Sequence, residues 1–374
     1  MRIVGINLIC VRSNNLSGIG HMAKRYFMEM ARLDLSEFHF IIYKQKSVDE
    51  AIFCFPLNAS YEIVNVPDLD GGAGLAIFEQ TLFYFYLKKC DVMWSPNSSS
   101  PWFGRRKKII SILDIYPITY KHTYGRLKRY SSWLLYKLNI LFSDSIITIS
   151  EYSKNDLIEF LHVDPEKIKV LYCFIPSNEV ELMELDSVSS DISINGECVP
   201  LKIPYFLAVS SLQPIKNYEG LIQGFSQFHK RNKDYYLYIV GGKGWNYERI
   251  YKLVEDNNLS EYVIFTGYIS EHDLNTLYRN CHATVMPSFY EGFGYTPLEG
   301  FYRGKICIAT NKTSVPEVVG KAGIYVDPYN VDTIAEGLRN STESLTEFEK
   351  HIKEQISKFD GAKTTRELLE FLKN

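Results

Sequence analysis

Arg2–Val11 is a nearly unbroken apolar run, the pattern of a strand buried on both faces of a parallel sheet. Shorter apolar runs follow at Phe38–Tyr43, Glu62–Val66, Asp91–Ser95, Lys108–Leu113, Ser145–Ser150 and Lys167–Leu171, with helical spacing between several of them. A second series begins at Tyr205–Ser210. It continues through Tyr235–Gly244, Val263–Ser270, His282–Met286, Lys305–Ala309 and Gly323–Val326. Alternation of strand and helix predicts an α/β chain with parallel, doubly wound sheets. The pattern breaks at Asn178–Leu201, which is rich in Ser, Asp and Glu, lacks an apolar period and reads as an exposed linker or insertion. The chain thus divides into a first domain over 1–177, a linker over 178–203 and a second domain over 204–358, and an amphipathic helix over 359–374 closes it.

One stretch organises the chemistry: Ser288-Phe-Tyr-Glu-Gly-Phe-Gly-Tyr-Thr-Pro-Leu-Glu-Gly300. Gly292 and Gly294 permit a sharp turn and close approach of backbone to a ligand. Thr296-Pro-Leu-Glu299 has the form of a capping box, with Thr at the cap and Pro at the first helical position. The N–H groups of Gly292, Phe293, Gly294, Tyr295 and Thr296, together with a helix start, make an anion site. Glu291 and Glu299 bracket that site. Carboxylates are poor phosphate ligands and good hydroxyl acceptors, so the pattern points to a ligand carrying both phosphate and sugar. A cap alone accounts for Glu299 and an exposed loop for Glu291, so spacing leaves both readings open.

Other strand ends carry candidates. Ser13–Gly20 is a loop with Gly18 and Gly20, followed by a helix with His21 at its start, where a solvated cap residue is the plainer reading. Lys216 precedes a helix and suits a diphosphate. Asp114 ends the strand Lys108–Leu113, at the edge where open α/β sheets bind ligands. Ser270-Glu-His-Asp273 and Ser314-Val-Pro-Glu317 have the form of helix caps.

The Glu291-to-Glu299 spacing, with its Glu-Gly-Phe-Gly core, resembles the E-x7-E signature of the family 4 retaining glycosyltransferases. Ser211-Leu-Gln-Pro-Ile-Lys-Asn217 resembles that family's G-R-L-x-P-x-K-N segment, and Ile147–Leu157 resembles its strand-to-helix segment near the end of the first domain. The resemblance covers most of the chain, from the Gly18 loop to the closing helix. It implies two Rossmann-like domains facing across a cleft, the GT-B architecture, with the closing helix crossing back onto the first domain. It also implies roles: Glu291 by the donor sugar, Glu299 on the ribose, Lys216 on the diphosphate and Tyr268 by the nucleobase. Gly18 and Gly20 would face the donor phosphate, with His21 and Asp114 on the acceptor side. Two departures stand out. Ser210 and Ser211 occupy the neighbourhood of the family's frequent Arg, and its usual His-Asp pair reads Leu113-Asp114.

The implied reaction moves a hexosyl group, with retention, from a nucleoside diphosphate sugar to a sugar or lipid-diphosphate-linked glycan in surface polysaccharide synthesis. Similarity to mannosyltransferase-like members makes GDP-mannose the first donor expected. A helix start together with Lys216 can replace a divalent ion at the diphosphate, so no metal or other cofactor is expected. Two other readings share these residues. A nucleotide-sugar epimerase would need further acid–base groups, against which Leu113 counts. A non-catalytic sugar-nucleotide-binding subunit would not need Glu291, Glu299 and Lys216 together.

Composition narrows the setting. At 374 residues the chain can form two full cores. A net charge of −3 argues against a dedicated nucleic-acid binder. Seven scattered Cys without a C-x-x-C favour reduced thiols in a cytoplasm. Met1 opens directly into a strand pattern without a signal peptide, and no apolar run is long enough to span a membrane. In the basic stretch 105–137, Arg105, Arg106, Lys107 and Lys108 lie upstream of Tyr120–Phe142, a segment that mixes Lys121, Arg126, Lys128, Arg129 and Lys137 with Trp133, Leu134, Leu135 and Tyr136. It reads as a helix that packs its Leu/Trp face on the sheet, with a basic face either solvated or in peripheral contact with anionic lipid.

Overall fold

The computed structural model describes residues 1–12, 16, 18–55, 58–69, 71–104, 106–120, 125–185, 189–343 and 347–374. They form two compact units, Met1–Glu179 with Asp360–Asn374, and Val180–Phe359.

The first unit is built on seven parallel strands: β1 Arg2–Asn7, β2 Phe38–Gln45, β3 Ser60–Val66, β4 Val92–Ser95, β5 Lys107–Ser111, β6 Ser145–Thr148 and β7 Ile168–Val170. Their order is β3-β2-β1-β4-β5-β6-β7, so the winding reverses between β1 and β4. Val4 on β1 pairs with Phe40 on one side and Val92 on the other. Val4 and Ile6 are wholly buried, as an apolar central strand requires. The apolar run outlasts the strand. Leu8, Ile9 and Val11 are buried in the turn beyond Asn7. The helix Gly18–Met30 covers one face, and the closing helix Gly361–Lys373 packs on it.

The second unit begins with an antiparallel hairpin, β8 Asp191–Ile194 and β9 Glu197–Pro200. Its parallel sheet comprises β10 Tyr205–Val209, β11 Tyr236–Val240, β12 Val263–Gly267, β13 Ala283–Met286, β14 Cys307–Thr310 and β15 Gly323–Val326, ordered β12-β11-β10-β13-β14-β15. Here the winding reverses between β10 and β13.

The stretch Asn178–Leu201, read as an exposed linker or insertion, carries regular structure. It contains the helix Ser177–Leu185 and the β8–β9 hairpin. Asn195 and Gly196, at φ 53° and 86°, supply the two positive-φ residues that a tight hairpin turn needs. Ile192 is buried in a core cluster with Tyr205, Tyr238 and Leu277, so the hairpin is packed onto the second unit.

The helix Arg126–Leu141 also departs from expectation. Trp133, Tyr136 and Ile140 pack on the cluster around Ile118 and Leu157, but Leu127, Leu134, Leu135 and Leu141 are exposed. Its leucines lie on the outer side as well as the inner one. Several basic groups turn inward: Arg129 donates to Ile118 O at 2.9 Å, Lys137 to Leu161 O at 2.7 Å and Lys108 to Trp102 O at 2.6 Å. Arg105 and Lys121 lie outside the described residues.

Candidate functional site

The loop 287–294 leaves the C-terminal end of β13, beside β10, where the second sheet's winding reverses. Open α/β sheets bind ligands at such a switch point. Gly294, at φ 112°, ends the loop and caps the helix Tyr295–Phe301, a conformation that strains any residue with a Cβ.

The capping box read from Thr296 to Glu299 does not form. The helix starts two residues earlier, and the Thr296 hydroxyl donates to Val209 O at 2.9 Å, fastening the helix to the end of β10. The side chain of Glu299 accepts from the Tyr278 hydroxyl at 2.7 Å. Arg303 lies over the Tyr278 ring at 4.7 Å and donates to Glu299 O and to Asn275 Oδ1, which fixes this group from a second side. Burial, and then the Glu299 charge, push the Tyr278 hydroxyl well above its usual range, so it stays a donor.

Lys216 ends a short 3₁₀ turn, Pro214–Lys216, after β10. Its Nζ donates to both carboxylate oxygens of Glu291 at 2.9 Å. Their side chains are 22% and 13% exposed, so the pair is partly screened yet reachable. Glu291 Oε1 also accepts from Ser288 Oγ at 2.7 Å.

Two further residues hold this pair in place. Asn217, in the left-handed region at φ 57°, accepts from Gly220 N with Oδ1, and its Nδ2 donates to Pro287 O at 3.0 Å and Pro328 O at 2.8 Å. Phe289 N donates to Ile215 O at 2.9 Å, so the Lys216 turn and the Glu291 loop are joined directly. Ser314, wholly buried, donates to Glu291 O at 2.9 Å and Phe293 O at 3.1 Å. The sequence reads Ser314 as a helix cap; its hydroxyl instead clamps the glycine loop. Ser270 does cap its helix, accepting from Asp273 N at 3.0 Å.

A small cavity lies against Lys216, lined by Val209, Ser210, Tyr218, Met286 and Ser288. The Tyr218 hydroxyl bridges Ser210 Oγ at 2.7 Å and Ser210 O at 2.9 Å, and burial raises it well above the usual tyrosine value. Ser210 and Ser211 thus bring no second cation here. Tyr268 is 80% exposed, and its ring lies over Gly242. A larger depression, lined by Ile203, Pro204, Cys281, His282 and Lys305, sits at the opposite, N-terminal ends of β10 and β13.

The structure therefore gathers Lys216, Glu291, Gly292, Phe293, Gly294, Tyr295, Thr296, Glu299 and Tyr268 into the second unit. Gly18, Gly20, His21 and Asp114 belong to the first. Gly18 is exposed at the start of its helix, while Gly20 is buried against Leu16. Residues 13–15 and 17 of that loop lie outside the described residues. Asp114 Oδ1 accepts from Tyr116 N at 3.3 Å, a local turn contact. Asn217, Ser314, Ser288 and Tyr278 are the members that sequence reasoning missed. Asn217 and Ser314 carry a visible signal, each as a cap residue before a helix, and Ser288 and Tyr278 carry none.

Two family models match the chain: glycosyl transferases group 1 over residues 193–359 and glycosyltransferase family 4 over 59–179. The O-antigen chain mannosyltransferase B of Escherichia coli is 30% identical over 51% of this chain and 49% of its own length. The serotype-specific mannosyltransferase WbdA of Escherichia coli is 27% identical over 74% of this chain and 34% of its own. The matches thus span about half of the first relative and a third of the second. Among solved structures, a glycosyltransferase from Rickettsia africae ESF-5 superposes with a TM-score of 0.69 at 17% identity, covering 100% of this chain and 98% of that one. This likeness assigns the fold, two Rossmann-like domains of the GT-B class.

Proposed function

The chain belongs to the glycosyltransferases described by these two domain models, and from that premise we propose that it transfers a hexosyl group from a nucleoside diphosphate sugar to a glycan acceptor in surface polysaccharide synthesis. Mannose from GDP-mannose is the proposed donor and a sugar or lipid-diphosphate-linked glycan the proposed acceptor. The relatives named as mannosyltransferases support this choice. The observation that carries the reading is the Lys216–Glu291 pair, fastened at the switch point of the second sheet by Asn217 and Ser314.

In the proposed reaction the bond between the anomeric carbon and the diphosphate oxygen breaks while the acceptor oxygen bonds to the same face of that carbon. Lys216 offsets the charge that develops on the diphosphate, a preorganised cation worth more in a partly buried site than in water. The amides of Gly292–Thr296 line the same loop, but the helix Tyr295–Phe301 is short, so the compensation falls first on Lys216. Glu291 accepts donor-sugar hydroxyls, and Glu299 accepts ribose hydroxyls, as carboxylates do best. The acceptor proton passes to the departing phosphate oxygen, giving retention without a covalent intermediate. No divalent ion takes part in this scheme.

A thermal-shift panel with GDP, UDP, dTDP, ADP and NAD tests the reading. A nucleoside diphosphate at about 100 times its dissociation constant should stabilise the fold by roughly 2.7 kcal/mol. GDP alone raising the melting temperature supports the proposed donor. Another nucleoside diphosphate would keep the transferase and replace the donor, and a response to NAD alone rejects the transferase.

A further inference from the structure

The outer face of the helix Arg126–Leu141 is apolar and open. Leu127, Tyr130, Leu134, Leu135, Leu141 and Phe142 are all exposed, Leu127 by 84% and Leu141 by 70%. Positions 127, 130, 134 and 141 recur at intervals of three, four and seven, so they form one stripe along the helix. Arg126 flanks that stripe on one side and Lys128 lies on the other, at 100° per residue. The helix contains no Asp or Glu.

The stripe continues beyond the helix. Trp102 stacks on Phe142 at 5.3 Å and donates through its indole to Asn139 Oδ1 at 2.8 Å. The Gln80 side chain bonds both Ser100 O and Trp102 N, which ties the helix Gly71–Gln80 to the same place. Next to these ties Ile77, Leu82, Phe85 and Phe103 are exposed by 56–80%. A run of large apolar groups this extensive, left in water, marks an interaction surface.

Charge selects the partner. Residues 71–143 hold eleven Lys and Arg against three Asp and Glu, of which Lys108 and Glu79 are buried, in a chain whose net charge is −3. Two copies of such a surface repel each other, whereas an anionic lipid surface meets both its charge and its apolar stripe. We propose that this face of the first unit, led by the leucine stripe of the helix Arg126–Leu141, docks on an anionic lipid bilayer. The apolar stripe enters the headgroup boundary, and the flanking Arg and Lys stay at headgroup level. This deepens the reading above by giving a place to meet a lipid-linked acceptor, and it rests on that reading only for the acceptor.

Flotation of the full chain with vesicles tests the docking. Wild type should float with vesicles of phosphatidylcholine and phosphatidylglycerol and only weakly with phosphatidylcholine alone. The pair Leu134→Gln and Leu141→Gln should lower partitioning on the order of a hundredfold. Arg126→Gln with Lys128→Gln should lower it for anionic vesicles by about fivefold per charge. These positions are exposed, so melting temperature and nucleoside diphosphate binding should not change. Wild type that floats with neither vesicle overturns the docking, and so does unaltered flotation of the leucine pair. Dimerisation without vesicles that the same leucine pair abolishes also overturns it, by assigning the stripe to a second copy. Absence of nucleotide binding would reject the transferase and leave the docking standing.

Discussion

The two units solve one topological problem with different chemistry. In each, a parallel sheet reverses its winding beside the first strand, and polar groups gather at the strand ends there. In the second unit the group is an ion pair, Lys216 with Glu291, that stays partly open to water. In the first unit it is a buried cluster around Glu79. Asn7 Nδ2 donates to Glu79 Oε1 at 2.7 Å and reaches Ser95 Oγ at 3.3 Å, and Glu79 is only 2% exposed. Burial pushes the Glu79 carboxyl above its usual value, against the pull of bonds from Ser99 and Asn7. A half-open cation is equipped to receive a charged phosphate, and a sealed carboxyl is equipped to hold strand ends together. The same fold yields a reactive site or a structural knot according to which residues follow the strands and how much water reaches them.

If that contrast is right, the largest effect belongs to Lys216. Lys216→Ala should lower kcat on the order of 100- to 1000-fold, the loss typical when one preorganised donor to a developing anion is removed. The side chain is partly exposed, so the fold should survive. Steady-state rates with the donor found by the thermal-shift panel check this, and a rate within threefold of wild type would break the comparison.

A smaller effect belongs to Tyr278, which touches Glu299 and not the proposed donor. Tyr278→Phe removes the hydroxyl that holds Glu299 at 2.7 Å. If Glu299 reads ribose hydroxyls, wild type should prefer a ribonucleoside diphosphate over its 2′-deoxy form. The variant should narrow that preference about tenfold, the lower end of what one hydrogen bond to a charged group is worth. Calorimetric dissociation constants for the two ligands decide it. Equal weakening of both would mean that Tyr278 only supports the fold.

The fold was legible because burial on both faces leaves a strong trace. Gly323–Val326 was read with its observed bounds, and Phe38–Tyr43 fell two residues short of β2. Arg2–Val11 was read too long because Leu8, Ile9 and Val11 are as buried as strand residues while lying off the sheet. Periodicity counts apolar positions without saying which side faces the core, so the outward leucines of the helix Arg126–Leu141 were invisible. The hairpin was missed although Asn195-Gly196 is a strong turn signal, because its charged flanks masked the short alternation around Ile192. At the site, the charged residues stood out in the sequence and their fastenings did not. Which carbonyls Ser314 or Asn217 reach is decided by tertiary packing, and a hydroxyl before a helix looks the same whether it caps that helix or clamps a loop.

The subtlest test concerns the sealed side of the comparison. Glu79 has a folded-state value raised above its ordinary 4.5. Its contribution to stability is therefore fully present below that ordinary value and is lost as pH rises through the folded value. Glu79→Gln keeps an acceptor for Asn7 Nδ2 and cannot ionise. Wild type should accordingly lose stability relative to the variant as pH climbs from about 4.5 toward neutrality. Three of the four tryptophans, Trp94, Trp102 and Trp133, lie in the first unit, so urea unfolding followed by tryptophan fluorescence reports on the right region. A difference between the two proteins that grows with pH identifies Glu79 as a carboxyl held for its neutral form. A difference independent of pH would show that it ionises freely where it sits, and the two switch points would then differ in exposure alone.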